Sequence, residues 1–192
     1  MSFQNKQFKH LISGLLCAVS AVVLHSVAFA EKADADKPTE ITADHSISEG
    51  KKNVSTITGN VVLTRGTLLV KAERAVVTTA QDGTQSAVLY AVAGGKVFFR
   101  QKRDGGPDLW VEGVADRVEY DTRTELVKFI SKADVKYLEG KTVTQEQQGD
   151  FLSYDSLSDV FVATNNTSGK SVDGGGRVTL ILAPKSDKKV KE

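Results

Sequence analysis

The strongest constraint on this chain is an alternation of apolar and polar residues with a period of two, interrupted by glycine turns. It is clearest between Thr58 and Glu73, where apolar side chains occupy one face of two short arms. Arg65-Gly66-Thr67 reverses the chain between the arms, because glycine adopts the positive φ of a tight hairpin. The pattern predicts a half-buried antiparallel hairpin. Its inward-facing residues are Ile57, Val61, Leu63, Leu68, Val70 and Ala72.

Comparable short strands follow at even spacing, and no stretch shows helical periodicity. We expect strands at residues 38–46, 54–64, 68–79, 87–93, 96–101, 109–114, 116–120, 125–130, 134–138, 142–147, 151–154, 159–163, 171–172 and 177–183. Many short strands separated by turns predict an all-β sandwich, roll or barrel.

Two recurring markers indicate that short hairpins are repeated along the chain. The valines of the first marker are 36, 38 and 37 residues apart, in Gly59-Asn-Val61, Gly95-Lys-Val97, Ala133-Asp-Val135 and Lys170-Ser-Val172. The second marker is a small residue followed by an acid, in Ala43-Asp44, Ala72-Glu73, Ala115-Asp116 and Gly149-Asp150. This period predicts a solenoid-like or rolled stack of β units that bury their faces on one another.

The amino-terminal thirty residues have the pattern of a secretory signal. Lys6 and Lys9 precede an uncharged apolar run at 11–27, and Ala28-Phe-Ala30 is typical of a cleavage site. The run is nearly long enough to span a bilayer, so an uncleaved anchor is the alternative. We therefore expect a cleaved signal peptide at 1–30, a polar leader at 31–37, one β domain at 38–184 and a flexible lysine-rich tail at 185–192.

Composition excludes several classes of protein. Cys17 lies inside the signal, so stability must come from a hydrophobic core rather than from disulfides. Of the 25 basic residues, removal of Lys6 and Lys9 leaves 23 against 24 acidic ones. This near balance argues against nucleic acid as a partner, because such binding usually requires a basic excess.

Catalytic and metal-binding groups are sparse. His45 is the only histidine after the signal. A metal site would therefore have few ligands available, and a Ser-His-Asp triad would have to use His45. The acid pairs Asp116 with Glu119 and Asp150 with Asp155 could serve a glycosidase, but in a chain with 24 acids they fit solvated strand positions better. We expect no catalytic residues, no metal site and no cofactor.

The inward parity of the strands leaves two interpretations open. Inward positions such as Val97, Phe99, Val118 and Tyr120 carry apolar side chains. An ordinary packed core satisfies this pattern, and so does an apolar cavity or groove that holds a lipid chain. Alternation alone does not distinguish them.

The segment from Thr58 to Glu73 resembles the signature of the OstA-like family of periplasmic proteins. Further similarities are Ile41-Thr-Ala-Asp44, Gly95-Lys96 running into Phe99-Arg-Gln101, Val111-Glu-Gly113 leading to Tyr120, and Arg177-Val-Thr-Leu180 before Pro184. The resemblance covers about residues 38–184. It implies a twisted, semi-open antiparallel β-jellyroll with an apolar interior.

The resemblance also implies a function. Members of this family bind lipopolysaccharide in the periplasm and stack head to tail. They thereby link an inner-membrane-anchored partner to the outer-membrane translocon of the lipopolysaccharide transport machinery. The expected protein is a non-enzymatic lipid-binding bridge. Two alternatives stay open at this point: a membrane-anchored component of the same pathway, and a carbohydrate-active β-roll enzyme.

Carried over residue by residue, the resemblance places two sets of functional positions in this sequence. The expected lipid-facing residues are Thr39, Ile41, Val61, Leu63, Val70, Phe99 and Tyr120. The expected joints between copies or partners are the edge strands, with Ile41, Ala43, Val178, Leu180 and Leu182.

Overall fold

A computed structural model describes residues 34–184, which include twelve β-strands in one antiparallel sheet. The strands are β1 Glu40–Thr42, β2 His45–Glu49, β3 Val54–Arg65, β4 Leu68–Thr79, β5 Gln85–Tyr90, β6 Val97–Lys102, β7 Leu109–Ala115, β8 Arg117–Asp121, β9 Leu126–Glu139, β10 Thr142–Asp155, β11 Val160–Thr164 and β12 Thr179–Leu182.

Four strands, β3, β4, β9 and β10, are long. Each pairs with one long strand in both of its halves, and its second partner differs between the two halves. For example, β4 pairs with β6 near its start and with β5 near its end. In the same way β9 pairs first with β8 and then with β7, and β10 pairs first with β12 and then with β11. Each long strand therefore belongs to two parts of the sheet.

These long strands divide the sheet into two layers of eight strand segments. The front layer runs β2, β3, β4, β5, β8, β9, β10 and β11, with residues 54–58, 74–79, 126–130 and 151–155 of the long strands. The back layer runs β1, β3, β4, β6, β7, β9, β10 and β12, with residues 61–65, 68–72, 134–139 and 142–148.

The two lateral sides of this roll differ. On one side, which we call the bend side, the long strands cross between the layers. On the opposite side, which we call the seam, each layer ends in its own turns. The turns of the front layer are 50–53, 80–84, 122–125 and 156–159, and those of the back layer are 66–67, 103–108 and 140–141.

Backbone conformation and acidic side chains shape the bend side. Gly59 and Asn60 adopt φ angles of 79° and 48°, and the β3–β4 register shifts there. Asp44 accepts a hydrogen bond from Asn60 Nδ2 at 2.9 Å, and a Cβ on Gly59 would lie 2.4 Å from its carboxylate. Only glycine fits so close to Asp44 at a positive φ.

The repeated sequence markers coincide with the crossings between layers. The four acid markers, at 43–44, 72–73, 115–116 and 149–150, lie where the chain passes from the back layer to the front. Three valine markers, at 59–61, 95–97 and 133–135, lie where it returns, and the fourth, at 170–172, lies in the loop from β11 to β12. The predicted rolled stack of β units is confirmed.

The core lies between the layers and is apolar. Phe99 of the back layer meets Phe129 of the front layer edge to face, with ring centres 5.4 Å apart. Neither ring is exposed, and the buried cluster includes Leu63, Val70, Leu89, Val97, Val118, Val127, Leu152 and Tyr154. The architecture is a rolled antiparallel β-jellyroll, which confirms the predicted fold class.

Several predicted strand boundaries were wrong. Ala43-Asp44 breaks the predicted strand 38–46 into β1 and β2, because the chain changes layers there. The strands predicted at 125–130 and 134–138 form one strand, as do those at 142–147 and 151–154, since a bend does not interrupt pairing. Residues 171–172 form no strand. The predicted signal and tail lie outside the described residues.

The fold makes a prediction at Gly113, which faces the Phe129 ring. A Cβ at this position would lie 2.3 Å from the ring. Gly113→Ala should therefore lower the free energy of unfolding by about 1–3 kcal/mol, because the ring has to shift within a packed core. Urea denaturation measures this change. Gly50→Ala is the control, because a Cβ at Gly50 meets nothing within 4 Å. Equal midpoints for both variants would contradict the close packing of Phe129 against Gly113.

Candidate functional site

The expected lipid-facing residues lie on the inner surfaces of the two layers. Val61, Val70 and Phe99 are at most 1% exposed and lie deep between the layers. Leu63 and Tyr120 are also buried, but nearer to the β1 end of the roll. The structure thus brings these five side chains together in one apolar interior.

The interior reaches the surface at the β1 end. Thr39 and Ile41 are partly exposed there and, with Leu63 and Tyr120, line a shallow depression. Its walls are completed by Val77, Gln85, Ala87 and Thr122. The predicted set therefore divides into rim residues and core residues, which the sequence pattern did not distinguish.

The β12 end of the interior is more polar. A small cleft there is lined by Val135, Tyr137 and Phe161 together with Gln145 and Gln147 of β10. Tyr137 and Phe161 meet edge to face at 5.0 Å, and Phe161 stacks on Tyr154 at 4.6 Å. Aromatic rings thus close the end opposite Ile41.

A buried ion pair joins the layers at the seam near the β1 end. Arg65 Nη1 of the back layer donates to Glu125 Oε1 of the front layer at 2.7 Å, and the two side chains are 9% and 6% exposed. Tyr120 Oη accepts from Arg65 and donates to Glu125, each at 2.7 Å. Burial, followed by the neighbouring Glu125, raises the pKa of Tyr120 above its ordinary value. Burial lowers the pKa of Arg65, but Tyr120 and Glu125 outweigh this effect and the net direction is upward.

Residues 34–37, predicted as a polar leader, pack against the back layer. Asp34 is 4% exposed and accepts from Thr67 N at 2.8 Å and from Gln101 Nε2 at 3.3 Å. Arg65 donates to the carbonyl oxygens of Ala35 and Lys37. Sequence reasoning missed this network. The available signal was Arg65 itself, whose parity places a charge on the inward face of β3.

A second polar group joins the layers at the seam near the β12 end. Arg103, which follows β6 in the back layer, donates to both carboxylate oxygens of Asp159, at 3.1 and 2.5 Å. Tyr137 Oη donates to Asp159 at 2.9 Å, and the Arg103 guanidinium lies 3.6 Å from the centre of the Tyr137 ring. Tyr154 of the front layer also reaches Asp159, at 3.4 Å.

The edge strands of the back layer are β1 and β12. Within residues 34–184, β1 pairs only with β3 and β12 pairs only with β10, so each has one edge free of strand pairing. Ala43 follows β1 directly, and Val178 precedes β12. Leu180 and Leu182 are 58% and 65% exposed.

Strand direction makes these two edges complementary. Seven antiparallel pairings connect β1 to β12 through the back layer, so the two strands run in opposite directions. A second copy in the same orientation would therefore present its β1 antiparallel to the first copy's β12. An unpaired strand edge of this kind is a template for pairing with another chain.

Three of the four acids considered for catalysis, Asp116, Glu119 and Asp155, have other partners. Asp116 accepts from Lys96 at 2.7 Å and from Ser131 at 2.7 Å, and these two bonds lower its pKa. Glu119 pairs with Arg117 at 3.1 Å. Asp155 accepts from Ser158, which lowers its pKa.

Among residues 34–184, no group of three or more His, Cys, Asp or Glu side chains is placed to hold a metal ion, and His45 is exposed on β2. In the same part of the chain, no helix has the length and apolar character needed to cross a membrane.

Together, these features define a β-jellyroll whose apolar interior lies between two layers and whose sheet ends in free edges. Residues 40–160 match the family described as LptA/(LptD N-terminal domain) LPS transport protein. The chain belongs to this family, which confirms the resemblance recognised in its sequence. The match ends before β12, so the carboxyl-terminal edge lies beyond it.

Named relatives agree with this assignment. The chain is 31% identical over 175 residues to the lipopolysaccharide export system protein LptA of Haemophilus influenzae, covering 91% of this chain and 94% of the relative. It is 32% identical over 170 residues to LptA of Escherichia coli K12, covering 88% and 84%. A crystal structure of LptH from Pseudomonas aeruginosa superposes with a TM-score of 0.68 at 17% identity, covering 79% and 99%, and it shows the same fold.

The seam predicts a measurable effect of Tyr120→Phe. Losing the hydroxyl that bridges Arg65 and Glu125 should cost about 1–2 kcal/mol of unfolding free energy. In the wild type, the raised pKa of Tyr120 means that its contribution is present below the ordinary tyrosine pKa and is lost as pH rises above about 10. The variant should lack this part of the alkaline decline.

Urea denaturation from about pH 8 to about pH 11 measures both effects. Tyr90→Phe is the matched control, because Tyr90 lies on the outer face beneath Arg74. It should change stability by less than about 0.5 kcal/mol. Identical pH profiles for the wild type and Tyr120→Phe would contradict the assigned role.

Proposed function

We propose that this protein transports lipopolysaccharide across the periplasm and shelters the acyl chains of its lipid A between the two layers. The supporting observation is the apolar interior of a chain that belongs to an LPS transport family. Its relatives in Haemophilus influenzae and Escherichia coli are named lipopolysaccharide export system proteins. No bond needs to be broken for this task, and two of the acids weighed as catalysts, Asp116 and Glu119, are held in ion pairs.

Physical chemistry explains why the acyl chains need shelter and the sugars do not. Each methylene held in water instead of an apolar environment costs about 0.8 kcal/mol, so a lipid with several long chains cannot cross an aqueous compartment unprotected. Inward residues such as Val61, Val70 and Phe99 provide an apolar wall. Sugars carry hydroxyls that lose hydrogen bonds when they are buried, so they are better left outside.

The rim residues fit the first contact with the lipid. Thr39 and Ile41 are partly exposed above Leu63 and Tyr120, so an acyl chain reaching the β1 end meets apolar surface at once. The deeper residues contact lipid only after the layers move apart, because their side chains are packed together. In this proposal the core and the lipid site are the same set of residues in two states.

We also propose that copies assemble head to tail and thereby bridge the two membranes. The free edge of β12 would pair with β1 of the next copy, in the antiparallel direction described above. The same edges would receive the inner-membrane-anchored partner at one end of the assembly and the outer-membrane translocon at the other. Successive interiors then form one sheltered path.

A photo-crosslinking residue at Phe99 should capture lipopolysaccharide in cells. The neighbouring Phe98 is the matched control, because it has the same side chain but points to the outer face of β6. Immunoblotting for lipopolysaccharide on the purified protein measures capture. Equal capture at both positions would contradict the proposed site, since it would show no preference for the interior.

The proposed joint predicts that Leu180→Pro weakens self-association. Ala183 donates its N–H to Thr144 O at 3.0 Å, so the alternate residues 180 and 182 direct their N–H groups to the free edge. Proline at 180 removes a donor that the folded chain does not use, as edge positions allow. Leu180→Val keeps both the donor and an apolar side chain.

Sedimentation velocity over a range of protein concentrations measures the effect. We expect Leu180→Pro to shift the distribution to monomers, while Leu180→Val associates like the wild type. If the proline variant forms the same oligomers, β12 is not the joint.

A further inference from the structure

The seam differs from the bend side in the kind of bond that holds it. On the bend side, the continuous strands β3, β4, β9 and β10 join the layers covalently. At the seam, within residues 34–184, no strand pairing connects the two layers. The layers are therefore joined there by side chains, and side-chain contacts can break without disturbing either layer's ladder of backbone hydrogen bonds.

Two polar groups span the seam, one near each end. The first, which we call the Arg65 latch, consists of Arg65, Tyr120 and Glu125. The second, the Arg103 latch, consists of Arg103, Tyr137 and Asp159. In each, an arginine of the back layer binds a carboxylate at the start of a front-layer strand, β9 or β11.

The Arg65 latch is arranged so that its arginine stays with one layer. Arg65 also binds the carbonyl oxygens of Ala35 and Lys37, and the adjoining Asp34 binds Thr67 of the back layer. Parting the layers therefore breaks the bonds of Arg65 to Tyr120 and Glu125 but leaves its bonds to residues 34–37 in place.

The Arg103 latch is more accessible to solvent. Arg103 is 14% exposed at its side chain, whereas Asp159 is 46% exposed. Asp159 is the last residue of the turn 156–159 and adopts a φ of 54°, a conformation that Asp tolerates better than most residues. An exposed carboxylate exchanges protein partners for water at low cost, so this end of the seam is the easier one to open.

We propose that the seam is a lateral gate, held shut by the Arg65 and Arg103 latches, through which acyl chains enter the interior sideways while the sugars stay in water. The inference rests on the proposed function, because that function supplies the ligand. Opening turns the layers about the bends, where Gly59, Asn60, Ser131 and Lys132 already adopt positive φ angles. Lateral entry avoids threading a large polar head group along an apolar channel, which would strip its hydroxyls of water.

The gate can be tested without lipid through thiol labelling in a Cys17→Ser background, where an introduced cysteine is the only thiol. Val111→Cys and Val97→Cys are a matched pair, because both valines are unexposed in the back layer. Val111 lies near the seam and Val97 near the bend side. Labelling with a water-soluble maleimide reports how often each position opens.

Glu125→Gln combined with Asp159→Asn should raise the labelling rate at position 111 by about tenfold or more, and the rate at position 97 much less, because a broken buried pair strongly favours the parted layers. Each single substitution should have a smaller effect in the same direction. Asp82→Asn is the control, because Asp82 pairs with Arg123 across two turns of the same front layer. It should leave both rates unchanged.

Equal acceleration at both positions would overturn the gate, since it would report global unfolding. Unchanged rates in the double variant would overturn it as well. Stopped-flow association of fluorescent lipopolysaccharide then separates the gate from the proposed function. Binding by the wild type with no faster association in the double variant rejects the gate alone. Absence of binding by the wild type rejects the proposed function, whatever the labelling shows.

Discussion

The crossing of each long strand between layers is the constraint on which the rest of the structure depends. A flat twelve-stranded sheet would leave one apolar face in water, so the sheet has to fold onto itself. It does so without interrupting its strands, because Gly59 and Asn60 turn β3, and Ser131 and Lys132 turn β9, through positive φ angles. Asp44 and Asp116 lie beside the bends and accept hydrogen bonds from the side chains of Asn60 and Ser131. The buried interior, the seam and the two free edges all follow from this geometry.

Sequence reasoning succeeded where the signal is local. Alternation identifies the inward face of β3, β4 and β6, so the burial of Val61, Val70 and Phe99 follows from parity alone. It failed where the structure depends on meetings between distant turns. Arg65 and Glu125 are 60 residues apart, and Arg103 and Asp159 are 56 apart. Nothing in a period-two pattern says which turn of one layer faces which turn of the other.

The small-residue and acid markers show why a repeat can be visible while its meaning is not. Their spacing can be read from the sequence. Their role at the crossings cannot, because it depends on the rolled sheet, in which Ala43-Asp44 and Ala115-Asp116 occupy equivalent places. Without knowledge of the roll, the same residues are typical of strand ends. For this reason β9 and β10 were each predicted as two strands. The interruptions in their pattern are real, and they mark bends rather than turns.

A tightly packed interior and a lipid site place opposite demands on the same residues. Packing at the Phe99–Phe129 contact stabilises the empty protein, and a lipid chain has to replace that contact with equivalent ones. If apolar surface is buried in both the empty and the lipid-bound protein, replacing protein contacts by lipid contacts changes the free energy little. Other contacts then set the free-energy difference between these two states. Polar contacts across the seam are suited to this role, because their strength changes when the layers part while the apolar burial is maintained by the lipid. Stability of the empty roll and access to its interior can then be adjusted through a few charged side chains without altering the core.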